Sequence, residues 1–166
     1  MTTKLFLEDP YQRDAKALVV AHTAEGGVVL DATVFYAKGG GQPGDSGVLS
    51  WQGNRLAIAT AVKGEGDQII LVPSEPLSLP PIGAQVVQQL DWDRRHKHMR
   101  VHTALHLLSV AVPFGVTGGA ISATHGRLDF DMPDAPEDRQ AIEETLNEFV
   151  ERDARVSDGW ITEAEL

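Results

Sequence analysis

The chain has no cysteine among its 166 residues, which excludes a disulfide framework, a thiol nucleophile and a thiolate zinc site built from these residues. Basic residues are scarce: 14 Lys and Arg stand against 24 Asp and Glu, for a net charge of −10. Such a balance does not hold nucleic acid by bulk charge, because phosphate affinity comes from clustered Lys and Arg. Long hydrophobic runs are missing as well. The longest, from Leu107 to Val116, contains Ser109, Pro113 and Gly115 and falls short of the ~18 residues that argue for a membrane span. Glu8 and Asp9 interrupt the first ten residues, so no secretory signal is expected and a soluble, cytoplasmic protein is. The length suffices to bury roughly 68–70% of the unfolded surface, so neither disulfide nor metal is needed merely to fold.

The acid is unevenly spread. Residues 1–130 hold 11 basic and 12 acidic residues, whereas residues 131–166 hold 3 and 12. Local basic patches therefore remain open to the first 130 residues. Ala17 to His22, Gly27 to Phe35, Arg55 to Val62, Gln68 to Val72 and Gln85 to Leu90 are apolar or alternating segments separated by Gly-rich turns, the pattern of a small β-barrel or sandwich. The period then changes: Val101, Leu105, Leu108 and Val112 recur at helical steps, with Asp91 as N-cap and Pro113 and Gly115 as the stop. Ala120 to Ala123 and Arg127 to Phe130 are expected to pair as a hairpin. Asp134 and Glu137 form a capping box before the stripe Ile142, Leu146, Phe149 and Val150. Residues 1–90 are thus expected to be a small β-barrel domain, and residues 91–166 an α+β domain.

Four constellations carry possible chemistry. Gly39-Gly40-Gly41-Gln42-Pro43-Gly44-Asp45-Ser46-Gly47 places five glycines in nine residues, which suits positive φ or close backbone approach to a ligand. It is not a Walker loop, since Asp45 stands where the phosphate-binding Lys belongs. A trypsin-like role for Gly44-Asp45-Ser46-Gly47 is also poor, because only His22 and Asp31 precede it as partners. His102 and His106 are one helical turn apart and can reach one divalent ion; His98 extends the series, but ~12 Å of helix rise separates it from His106. Arg94, Arg95, Lys97 and Arg100 make a phosphate-sized cationic patch at the start of the same helix. Gly126-Arg127-Leu128-Asp129-Phe130-Asp131 alternates as a strand with both carboxylates on one face, toward water or toward a histidine.

Together these segments, with Gly118-Gly119, Asn147 and Val156, resemble the stand-alone alanyl-tRNA editing proteins of the AlaX family and the editing domain of alanyl-tRNA synthetase. The matching helix is Met99-Arg100-Val101-His102-Thr103-Ala104-Leu105-His106-Leu107-Leu108. The resemblance implies a trans-editing hydrolase that deacylates alanine tRNA mischarged with serine or glycine. It implies a small β-barrel followed by an α+β two-layer domain shared with threonyl-tRNA synthetases. It implies zinc on His102 and His106, substrate approach to Gly39, Gly40, Gly41 and Gly44, and catalytic or reading roles for Gln42, Asp45 and Ser46. Arg94, Arg95, Lys97 and Arg100 are then expected at the tRNA acceptor end. The family completes its zinc site with a Cys-x-x-x-His segment. These residues hold no Cys, so the further ligands are expected beyond Leu166, with Trp160 to Leu166 as the start of another segment. The competing expectation is a metal-free, non-catalytic module that binds tRNA or an aminoacyl ligand.

Overall fold

The computed structural model describes residues 1–157, 159 and 161–165; Trp160 and Leu166, the ends of the segment expected to begin a further element, lie outside them. The chain opens with β1 (Thr3–Lys4) and one helical turn, α1 (Leu5–Glu8), then β2 (Asp14–His22), β3 (Val28–Leu30) and β4 (Ala32–Thr33). There follow β5 (Gly47–Trp51), β6 (Asn54–Lys63), β7 (Ile69–Pro73) and β8 (Gln85–Leu90). The second part holds α2 (Trp92–Ala111), β9 (Gly115–Ile121), β10 (Gly126–Asp131) and α3 (Arg139–Glu151), with a 3-10 turn at Glu163–Glu165.

Six strands close a barrel in the order β2-β3-β7-β6-β5-β8, and every neighbouring pair is antiparallel. Closure removes the exposed edges that an open sheet would present. Alternation fills the interior: in β8, Val86, Gln88 and Leu90 turn inward while Gln85, Val87 and Gln89 face out. Val19, Leu30, Leu49, Leu56, Ile58 and Leu71 complete the core. Gln88 is a polar member of that core and is fully buried. Its carboxamide donates to the Ala32 carbonyl at 3.0 Å and accepts from Thr33 Oγ1 at 2.7 Å and from the Val34 N–H at 3.3 Å, which offsets its desolvation.

The run from Gly27 to Phe35, expected as one strand, is divided at Asp31. Its carboxylate accepts from the Leu18 N–H at 2.8 Å in place of a ladder carbonyl, and the chain beyond it, β4, pairs in parallel with β1 instead. The strand β5 was not legible as such, because it starts on Gly47, inside the Gly-rich run. After β8 the expected helix forms: Asp91 caps α2 by accepting from the Arg94 N–H, and Val112 ends it just before Pro113. The antiparallel pair β9 and β10 and helix α3 all contact α2. The cap of α3 is Asp138, whose carboxylate accepts from the Ala141 N–H at 2.9 Å, so the helix begins later than the Asp134–Glu137 box suggests. The architecture is therefore α+β, a small N-terminal barrel followed by a helix, α2, that contacts both the β-hairpin and α3. No helix among the described residues is long and apolar enough to cross a membrane.

Candidate functional site

The Gly-rich run leaves the barrel after Phe35, whose burial with Val34 and Ala37 anchors one end in the core. A reciprocal pair of backbone bonds between Gly39 and Gln42, 2.9 and 3.1 Å, closes the turn, and the Tyr36 hydroxyl donates to the Gly39 carbonyl at 2.9 Å. Gly41 sits at φ +76°, and a Cβ there would lie 2.7 Å from the Gly119 carbonyl oxygen. The Ile121 N–H donates to the Gly41 carbonyl at 3.0 Å, so the loop is hydrogen-bonded to β9 and a side chain would force the two apart. A Cβ at Gly44 would overlap the Ala61 carbonyl oxygen of β6. Gly40 and Gly41 are exposed and Gly44 is buried.

On its other side the loop meets α2. Gln42, 4% exposed, places Oε1 2.9 Å from Nδ1 of His102. With the amide oxygen as acceptor, His102 carries its proton on Nδ1 and Nε2 keeps its lone pair. One turn on, the His106 ring lies parallel to that of His102, with centroids 5.0 Å apart and planes within 14°. Burial, and then the neighbouring His106, holds the pKa of His102 below the ordinary imidazole value, which favours the neutral ring that a metal or a proton acceptor requires. The structure thus brings Gln42 to the His102–His106 turn.

It does not bring the rest of the sequence-derived set there. Ser46 Oγ lies 3.4 Å from Asp91 Oδ2 and from Arg94 Nη1, at the base of α2. His102 is eleven residues past Asp91, ~16 Å along the helix. Asp45 is 1% exposed and Arg95 4% exposed, and the two form a buried ion pair. The Tyr36 N–H also donates to Asp45 Oδ2 at 2.8 Å, and the Arg95 guanidinium lies over the Tyr36 ring. Burial pushes the Asp45 carboxyl upward, while Arg95 and the Tyr36 N–H pull it back. Asp45 and Arg95 therefore form a clasp between the loop and α2, each balancing the other's charge. Arg94 is half-buried and donates to the Gly44 carbonyl at 2.9 Å. Lys97 and Arg100 remain exposed. Asp129 pairs with Arg127 at 3.1 Å on the surface, not with a histidine. The clasp had no local signal, because fifty residues separate its partners.

Residues 7–94 match the family of tRNA synthetases class II (A). Over 168 residues the chain is 32% identical to the alanyl-tRNA editing protein AlaX-M of Pyrococcus horikoshii, covering 96% of this chain and 75% of that protein. The chain belongs to the alanyl-tRNA editing family. Its relatives include whole synthetases. The chain is 37% identical over 168 residues to the alanine–tRNA ligase of Pyrobaculum neutrophilum, covering 93% of this chain and 18% of the ligase. It is 43% identical over 107 residues to that of Pyrobaculum arsenaticum, covering 64% of this chain and 12% of the ligase. Against these ligases it spans less than a fifth of their length. His102 and His106 offer two imidazole donors one helical turn apart. Among the described residues no group of three or more His, Cys, Asp or Glu side chains is placed to hold a metal.

Proposed function

We propose that the chain is an editing hydrolase that removes serine or glycine from mischarged alanine tRNA, acting in trans. The observation that carries this is the Gln42–His102 hydrogen bond, which ties a Gly-rich loop open to solvent at Gly40 and Gly41 to a His-x-x-x-His turn. In the reaction, water adds to the ester carbonyl, the bond to the terminal ribose oxygen breaks, and free amino acid leaves. Backbone N–H groups around Gly40 and Gly41 are suited to the ester oxygen as it gains charge. Gln42 spends Oε1 on His102 and keeps its Nε2 hydrogens for the substrate. An amide that reads the serine hydroxyl favours serine over alanine, because losing the hydroxyl leaves a polar group unpaired.

His102 and His106 would hold zinc, which supplies polarisation of the ester carbonyl or an anchor for the substrate amine. Two imidazoles do not hold zinc tightly, so further donors complete the set. Lys97 and Arg100, both exposed, would meet acceptor-end phosphates.

A second reading is a metal-free module that binds tRNA or an aminoacyl ligand without turnover. Release of amino acid from seryl-, glycyl- and alanyl-tRNA separates the two. Editing predicts hydrolysis of the first two well above the third, with Gln42→Ala narrowing the serine preference. Salt-dependent tRNA binding without release from any of them would favour the binding module.

A further inference from the structure

A second cluster lies at the opposite end of α2 from the histidine pair. Tyr11, Arg13, Trp92 and His96 come together there from the segment before β2 and from the first turns of the helix. The Trp92 and His96 rings stack, with centroids 5.5 Å apart and planes within 16°. The Arg13 guanidinium carbon is 4.5 Å from the Trp92 ring centroid. Tyr11 leans against both rings, 5.7 Å from Trp92 and 6.5 Å from His96, tilted by 49° and 54°. It is 60% exposed, so no parallel ring covers its face. Arg100 follows Trp92 and His96 at the same four-residue step and continues their stripe along α2.

Charge alone does not explain what such a surface would hold. Asp9 accepts from the Tyr11 N–H at 2.8 Å, and Asp93 sits in the first turn of α2, so these carboxylates offset much of the local cationic charge. What distinguishes the cluster is aromatic area rimmed by cations, the combination that holds unpaired bases in sequence-tolerant fashion. Trp92 precedes His102 by ten residues on the same helix, ~15 Å along its axis. A few unpaired nucleotides span that distance.

We propose that Tyr11, Trp92 and His96 form a stacking platform for an unpaired RNA base, with Arg13 and Arg100 at the adjoining phosphates, upstream of the nucleotide whose ester is cut. The inference rests on the RNA-substrate reading above and adds to it a site far from the loop. Its test is titration of the 166-residue chain with two fluorescent hairpin RNAs, one blunt and one with an unpaired four-nucleotide 3′ tail. The wild type is expected to bind the tailed hairpin more tightly, and Tyr11→Leu to weaken that binding roughly ten- to hundredfold while leaving the blunt hairpin unchanged. Tyr11→Phe should retain wild-type affinity, because it keeps the ring. Tyr11→Leu should leave the salt slope unchanged, whereas Arg100→Ala should reduce it by about one. The exposure of Tyr11 makes unfolding of the variants avoidable, and matched circular dichroism checks it. Equal binding of the tailed hairpin by wild type and Tyr11→Leu, or equal weakening of both hairpins, would overturn the platform and leave the RNA-substrate reading standing. Failure of the wild type to bind either hairpin would overturn both.

Discussion

Replacing Gly41 by alanine tests whether the Gly-rich loop is held against β9 by backbone contact. The new Cβ meets two separate penalties. Gly41 has φ +76°, where an L side chain costs about 1–2 kcal/mol. The Cβ would also lie 2.7 Å from the Gly119 carbonyl oxygen, and backbone cannot rotate away as a flexible side chain could. Relief requires the loop to withdraw, which breaks the bond from the Ile121 N–H to the Gly41 carbonyl and adds about 1 kcal/mol. Gly40 supplies the control. Its φ is +55°, but the nearest atom to its Cβ is the Tyr36 hydroxyl at 3.9 Å, so Gly40→Ala carries only the first penalty. With about 2–4 °C of melting temperature per kcal/mol for a chain of this size, Gly41→Ala should melt several degrees below Gly40→Ala. Withdrawal of the loop also draws Gln42 from His102, and displacement of about 1 Å at a reacting centre costs on the order of a hundredfold in rate. Thermal unfolding by circular dichroism and seryl-tRNA deacylation read the two effects. Equal melting temperatures for the two variants would refute the close approach.

Two further outcomes follow from buried charge. Arg95→Met leaves the Asp45 carboxylate buried without its partner and should cost about 3–5 kcal/mol in urea unfolding, with much of that recovered when Asp45→Leu is added; a double variant as unstable as the single one would show that the clasp is not an isolated pair. His98 is 1% exposed and its Nδ1 has no hydrogen-bond partner among the described residues; burial, Arg94 and Arg95 hold its pKa below the ordinary value. The unfolded chain then binds a proton near pH ~6.5 that the folded chain refuses, so stability is complete above that pH and falls as the pH drops below it. His102 adds to the same trend. Asp45, shifted upward, works the other way, losing stability as the pH rises through its folded value. The His98 contribution is therefore read as the difference between wild type and His98→Gln across pH 5–7, and identical pH profiles would contradict it.

How much of this was legible depended on whether the signal was local. Asp91 as cap, the α2 stripe ending near Pro113, and the alternation of Gln85 to Leu90 are set by neighbours within a few residues, and each appears in the fold where its pattern placed it. The boundary at Asp31 was hidden, because a side chain substituting for a strand partner leaves no periodicity. The site divided along the same line. The His102–His106 spacing and the glycines were visible as patterns. Which loop residue would meet the helix was not: Gln42, Asp45 and Ser46 lie within five positions, yet they contact His102, Arg95 and the Asp91–Arg94 turn respectively. Arg95 looked like part of a cationic patch because charge counting does not show which way a helix faces. Its inward turn follows from the buried carboxylate of Asp45, fifty residues earlier.

The central claim is that His102 and His106 carry a zinc-dependent deacylation beside the Gly-rich loop. It is tested most directly by measuring zinc content and seryl-tRNA hydrolysis in the same preparations of wild type, His102→Ala and His106→Ala, with and without added zinc. The account predicts seryl-tRNA hydrolysis that rises with bound zinc in the wild type, with both zinc and hydrolysis lost on either histidine substitution. Hydrolysis that survives chelation and both substitutions would contradict it.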